Sequence, residues 1–218
     1  MYKPILFNTE MVKAILDGRK KVTRIIVKPQ PDKRHQAKLG YVTDSTDKSR
    51  IGCFGFGLDE YGGSIQYAKP KYNIGDIMWV RETVWQKASG TLGIDGETET
   101  VMWNEFKYIS TDKEPEVGWS YSWIKRPSIH MPKSAARIFL KVKDVRVEKL
   151  NDMSIQDMIN EGISTNGIIT TDGPIKYRVI NRFEELWDSK KKEEQYKFAS
   201  NPYVWVIEFE RCKKPEGF

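Results

Sequence analysis

Within the stretch GRKKVTR, residues 18–24, an amine (Lys20), a hydroxyl (Thr23) and a guanidinium (Arg24) fall inside five positions. A second stretch, SIQDMINEGI at residues 154–163, offers the carboxylate of Glu161. A lysine crowded by Arg19, Lys21 and Arg24 and partly removed from water has a lowered pKa, because burial and like charge both disfavour the ammonium. Such an amine can take the Thr23 proton. Thr23 can then attack an acyl carbonyl or hold a water that does so, while Glu161 orients the lysine or passes a proton to a leaving amine. The plain alternative is a structural Lys20–Glu161 ion pair beside an ordinary strand threonine. Both readings stay open on the residues alone.

Further groups are candidates for holding a substrate. In NIGDIMWVRETVW, residues 73–85, strand alternation puts Ile77, Trp79 and Arg81 on one face and Met78, Val80 and Glu82 on the other. A ring beside a guanidinium suits a nucleobase, and Arg24 and Arg81 suit an oxyanion or a phosphate. Arg24, Trp79, Arg81 and Glu82 are therefore counted as substrate-binding candidates. So are Ser128 and His130, which point the same way if the proline-flanked segment WIKRPSIHMPK runs extended. Cys53, Cys212, His35 and His130 are isolated from one another, so the pattern implies no metal, no disulfide framework and no His-based triad.

The elements that must position these groups are readable from periodicity. A helix is expected from about Asn8 to Asp17, with Met11, Val12, Ile15 and Leu16 as its apolar stripe and Gly18 as its stop. A β-branched strand follows at residues 22–27. Ile138, Leu140 and Val142, then Val145 and Val147, form a strand whose apolar parity switches at Lys143 and Asp144, the mark of a bulge or bend. Ser154 and Asp157 read as a capping box for a short helix ending at Glu161 and Gly162. Pro174 is expected to open a longer helix with Val179, Ile180, Phe183, Leu186 and Trp187 as its buried face, and residues 203–210 alternate as a final strand.

Two stretches, at about 30–72 and about 87–126, look like loop-rich insertions, the second with a short strand near residues 100–108. Gly55 and Gly57 lack the third glycine of a dinucleotide loop, since position 60 is Glu, so turns around aromatic residues are expected there. The 218 residues, 39% of them hydrophobic, suffice for one domain spanning residues 1–218. No apolar run approaches the roughly 20 residues of a membrane span, so no membrane partner and a cytoplasmic protein are expected. Net charge is +6, and residues 1–50 alone carry 12 Lys and Arg against 5 Asp and Glu, leaving 24 against 25 elsewhere. A basic lobe on a near-neutral body suits a polyanion, and an ordinary solvated surface accounts for it equally. The whole is expected to be α+β, mostly antiparallel, most simply a small closed barrel with helices at its mouth.

The helix followed by GRKKVTR, then GDIMWVRE, RIFLKVKDV, SIQDMINEGI and the closing YVWVIEFE, in that order, resemble the ASCH domain of the PUA-like superfamily. The chain is most similar to the larger ASCH proteins of phages and prophages, in which PSIHMP also recurs. This resemblance implies a small PUA-like β-barrel with helices flanking a cleft, and RNA or a modified nucleoside as partner. Some small bacterial members hydrolyse N4-acetylcytidine with a Lys, a Thr three residues later and a Glu on a later helix, which fall here on Lys20, Thr23 and Glu161. An amidohydrolase without cofactor is thereby implied. Many members have Thr directly after the motif lysine, where this chain has Lys21. A non-catalytic module that binds RNA or a modified base, and a phage accessory protein using its aromatic insertions, are the alternatives.

Overall fold

In the computed structural model the chain is described over residues 1–61, 63–92, 98–116, 118–164 and 175–218. Its elements in chain order are β1 (Tyr2–Leu6), α1 (Thr9–Leu16), β2 (Val22–Ile26), β3 (Ala37–Tyr41), β4 (Phe54–Gly57), β5 (Ile65–Ala68), β6 (Ile77–Arg81), β7 (Val84–Leu92), β8 (Thr98–Tyr108), β9 (Ser122–Arg126), β10 (Phe139–Lys149), α2 (Ile155–Asn160), α3 (Ile175–Asp188) and β11 (Tyr203–Cys212). The chain is α+β, rich in strand, and largely antiparallel, with β1 and β6 paired in parallel. No closed barrel is found among the described residues. The backbone divides into two compact units, one of residues 1–19, 76–141 and 210–218, the other of residues 20–75 and 142–209.

In the first unit the strand order is β1-β6-β10, and a separate sheet has the order β8-β7-β9. β1 has no clear strand signature in the sequence. That strand is short, carries Pro4 and lies at a sheet edge, where a proline is tolerated and hydrophobic alternation is weak. The α1 cap matches expectation: the Asn8 side chain accepts from the Met11 N–H at 2.9 Å, and Gly18 turns with φ of 74°. The stretch expected to be loop around one short strand is instead three paired strands. Its alternation was hidden because the outward positions carry Trp as well as Lys. Residues 127–136 do not run extended but wind into two 3-10 turns, Ser128–His130 and Lys133–Ala135, each entered from a proline. Val84, Met131, Ala135, Ala136 and Phe139 form the core here, with Phe106, Tyr108 and Phe218 against them.

In the second unit the order is β10-β11-β2, joined by α2, α3 and a three-stranded sheet, β3-β4-β5. That small sheet lies within the expected 30–72 insertion. Gly55 and Gly57 sit inside β4, not in a turn; a Cβ on Gly55 would come within 3.2 Å of Ile65 Cγ2, so close strand packing explains this glycine. Val22, Ile26, Val204 and Val206 share one hydrophobic cluster with Met158, Val179, Phe183 and Trp187, with Ile180 and Leu186 packed alongside. The apolar stripe read for α3 is thus its buried face, while Pro174 lies outside the described residues. Along β10 the buried positions pass from Leu140 and Val142 to Val145 and Val147, the parity change read from the sequence.

Candidate functional site

Local structure in the second unit brings Lys20 and Glu161 together. Ser154 and Asp157 close a reciprocal capping box at the start of α2, and Glu161 caps its end, where Gly162 turns away with φ of 97°. The Lys21 N–H donates to the Asn160 carbonyl at 2.8 Å, and the Lys21 carbonyl accepts from the Phe209 N–H at 2.9 Å. The first bond ties the chain just before β2 to the residue preceding Glu161, and the second ties it to β11.

Lys20 is buried, and its Nζ donates to three oxygens: Glu161 Oε2 at 2.6 Å, the Glu161 carbonyl at 2.8 Å and the Val22 carbonyl at 2.8 Å. Three acceptors match the three protons of an ammonium. Burial pushes the Lys20 amine down; the charge and hydrogen bond of Glu161 oppose this, and the Arg24 cation adds to the lowering, which prevails.

Arg24, also buried, completes the cluster. Its Nη1 donates to Glu161 Oε1 at 3.3 Å, while its Nη2 lies 3.5 Å from Glu148 Oε2 and 3.8 Å from Asp157 Oδ1. Its Nε and Nη2 are fully covered and make no hydrogen bond. Burial alone would raise the Asp157 carboxyl, but hydrogen bonds from Ser154, with the Arg24 and Arg146 cations, hold it below its ordinary value. Arg146 Nε in turn bonds Glu148 Oε1 at 2.7 Å, so the charges form one chain from Arg146 to Lys20.

Thr23 is buried next to this cluster in sequence, yet its hydroxyl is hydrogen-bonded neither to Lys20 nor to Glu161. Alternation along β2 places Thr23, paired with Ile207, on the opposite strand face from Arg24, paired with Val206. The Lys20 ammonium reaches the Val22 carbonyl, which belongs to the peptide leading into Thr23. Lys190, beyond the end of α3, keeps part of its surface in solvent, but its ammonium is crowded. Partial burial first, then the Lys20 and Lys191 charges, push its pKa down to about 8, against the pull of Glu161.

The remaining sequence candidates, Trp79, Arg81, Glu82, Ser128 and His130, belong to the first unit. Arg81 stands over the Trp79 ring, 5.7 Å from its centroid, and its Nη2 donates to the Ile129 carbonyl, while its covered Nε makes no hydrogen bond. Glu82 is an internal anchor: Arg137 grips it through Nε to Oε1 at 2.9 Å and Nη2 to Oε2 at 3.1 Å, and the Ser110 hydroxyl donates to Oε2. Ser128 and His130 do not point the same way. Positions two apart in a 3-10 turn are about 240° apart around its axis.

Sequence reasoning missed Glu148, Asp157, Arg146 and Lys190 as neighbours of the cluster. Asp157 was legible, because it precedes Glu161 by four residues and so shares its helix face. Among the described residues no three His, Cys, Asp or Glu side chains form a group able to hold a metal ion, and no helix is long and apolar enough to cross a membrane. Both cysteines are free thiols. Comparison of the chain with protein-family models, with curated proteins and with solved structures finds no match.

Proposed function

We propose that this protein is an ASCH-type, PUA-like protein directed at nucleosides or nucleic acid, and that the Lys20–Arg24–Glu161 cluster of the second unit receives an acylated or otherwise modified base. The barrel implied by the sequence motifs belongs to the same proposal. One observation carries the reading: the covered Nε of Arg24 makes no hydrogen bond, and its Nη2 meets Glu148 and Asp157 only at ion-pair distances of 3.5 and 3.8 Å, while Nη1 is held on Glu161. Buried donors in native proteins are nearly always satisfied. A ligand carbonyl or phosphate oxygen is the acceptor such donors are built for.

Amide hydrolysis is the second reading, favoured by the 2.6 Å Lys20–Glu161 contact and the lowered Lys20 pKa. For catalysis, Lys20 must release a carbonyl and turn towards Thr23. Lys20 first yields one ammonium proton to Glu161; the Thr23 oxygen then bonds to the acyl carbon, its proton passes to the freed Lys20 amine, and the C–N bond breaks as the leaving amine takes the proton from Glu161. Water next cleaves the acyl-threonine, giving the free acid and restoring the hydroxyl.

Both readings are tested on one preparation with N4-acetylcytidine, by calorimetric binding and by acetate release. The proposal expects binding by the wild type that weakens about tenfold or more in Arg24→Lys, since one lost charge-assisted hydrogen bond is worth about 1.5–3 kcal/mol. Acetate release abolished in Glu161→Gln and Thr23→Val assigns the hydrolase; binding without release assigns a recognition module. Neither binding nor release by the folded wild type overturns both.

A further inference from the structure

The outward face of the β8-β7-β9 sheet alternates aromatic rings with lysines. Trp85 pairs with Lys107 on one side and Lys125 on the other, and Lys87 pairs with Trp123. Because side chains alternate along a strand, Trp85 and Lys87 look outward, while Val84, Gln86 and Ala88, which alternate with them, are buried. The lysines lie against the rings: Lys87 Nζ is 4.5 Å from the Tyr121 centroid and 4.8 Å from Trp103, Lys107 is 5.2 Å from Trp123, and Lys125 is 5.6 Å from Trp85. Trp103 is exposed, steadied by an Nε1 bond to the Ser89 hydroxyl at 2.9 Å. Near Tyr121 a cavity of about 370 Å³ opens, lined by Gly90, Gly118 and the fully exposed Trp119.

We infer that this sheet face is a stacking platform for single-stranded nucleic acid. Every base presents a π-face that an exposed indole can cover, and a single strand offers those faces where a duplex hides them. The interleaved lysines answer the phosphates. Glu105 lies 2.9 Å from Lys87 and Asp112 feels the charge of Lys107, so among the described residues the three lysines of the array outnumber these two carboxylates, leaving net positive charge towards a polyanion. Ring-bound ammonium groups also hold the indoles in place before a ligand arrives, which lowers the ordering cost of binding. This site goes beyond the base-binding cluster and uses none of its residues.

The test is fluorescence anisotropy of the full chain with a labelled oligouridylate, an oligothymidylate of equal length and a duplex, at increasing salt. Both single strands share the recognised chemistry, and the tighter of the two identifies the natural source. Single strands are expected to bind more tightly than the duplex, with Trp103→Ala weakening them about tenfold and Trp103→Phe retaining most of the affinity. Lys107→Gln and Lys125→Gln, which leave the buried core untouched, are each expected to reduce the log–log salt slope by roughly 0.7. N4-acetylcytidine binding by Lys125→Gln should stay at the wild-type level, which separates this platform from the cluster of the second unit. Duplex binding as tight as single-strand binding overturns the inference. So does single-strand binding that both the Trp103 and the lysine variants leave intact, or no single-strand binding at all.

Discussion

Lys20 Nζ and Glu161 Oε2 lie 2.6 Å apart although 141 positions separate the two residues in the chain. Neither charge has ready access to water, so each is held by the other and by the backbone carbonyls around the ammonium. Arg24 enlarges the pair into a charge cluster whose members are sensitive to one another.

Removing the shared carboxylate should therefore be costly. Glu161→Ala leaves two buried cations facing each other and is expected to lower stability by about 3–5 kcal/mol, the usual cost of breaking a buried pair from one side. Urea unfolding with an unchanged slope measures it. A loss below about 1 kcal/mol would mean that water reaches the cluster.

Lys190 should report on the same cluster through pH. Its folded pKa of about 8 lies below the ordinary 10.5, so the unfolded chain holds this proton more firmly. The penalty is complete below about pH 8 and fades as pH rises towards 10.5, so stability gains with pH in that window. Lys190→Met should flatten this rise. Competitive amine labelling read by mass spectrometry should give half-maximal Lys190 reactivity near pH 8 in the wild type and a higher midpoint in Lys20→Met, because the Lys20 charge depresses it. An unmoved midpoint would separate the two amines.

Arg137 in the first unit is expected to matter as much as any core residue. It holds both oxygens of the buried Glu82 and lies 3.7 Å from the Tyr108 ring centroid. Arg137→Met should cost about 3–5 kcal/mol, and Glu82→Gln with Arg137→Met should recover part of it, since the uncompensated charge is then gone. Additive losses in the double-mutant cycle would refute the coupling.

Ser154→Ala opens the capping box that starts α2. A loss of about 1 kcal/mol is expected. The Asp157 carboxyl should titrate at higher pH in the variant, because hydrogen bonds from Ser154 hold it down. Carboxyl-detected NMR titration follows it directly, and an unshifted Asp157 would assign its lowering to Arg24 and Arg146 instead.

Locally encoded elements were the legible ones. The cap at Asn8, the capping box at Ser154, the stop at Gly162 and the stripe of α3 depend on neighbours within a few residues, so their patterns survive in the linear chain. Strands whose exposed faces carry Trp, and the glycine-bearing β4, were harder to read because their periodicity does not separate apolar from polar positions. β1 was overlooked because an edge strand containing proline looks like a tail.

The sequence by itself determined the residue types at Lys20, Thr23, Arg24 and Glu161 and the elements that carry them. Only the tertiary structure decided that lysine and acid meet, that Arg24 joins them with Glu148 and Asp157, and that the Thr23 hydroxyl stays apart from them. The physical reason is that backbone hydrogen bonds between distant segments, Lys21 to Asn160 and Phe209 to Lys21, set which side chains share a space. Strand alternation then sends adjacent residues to opposite faces, whatever chemistry their proximity in sequence suggests.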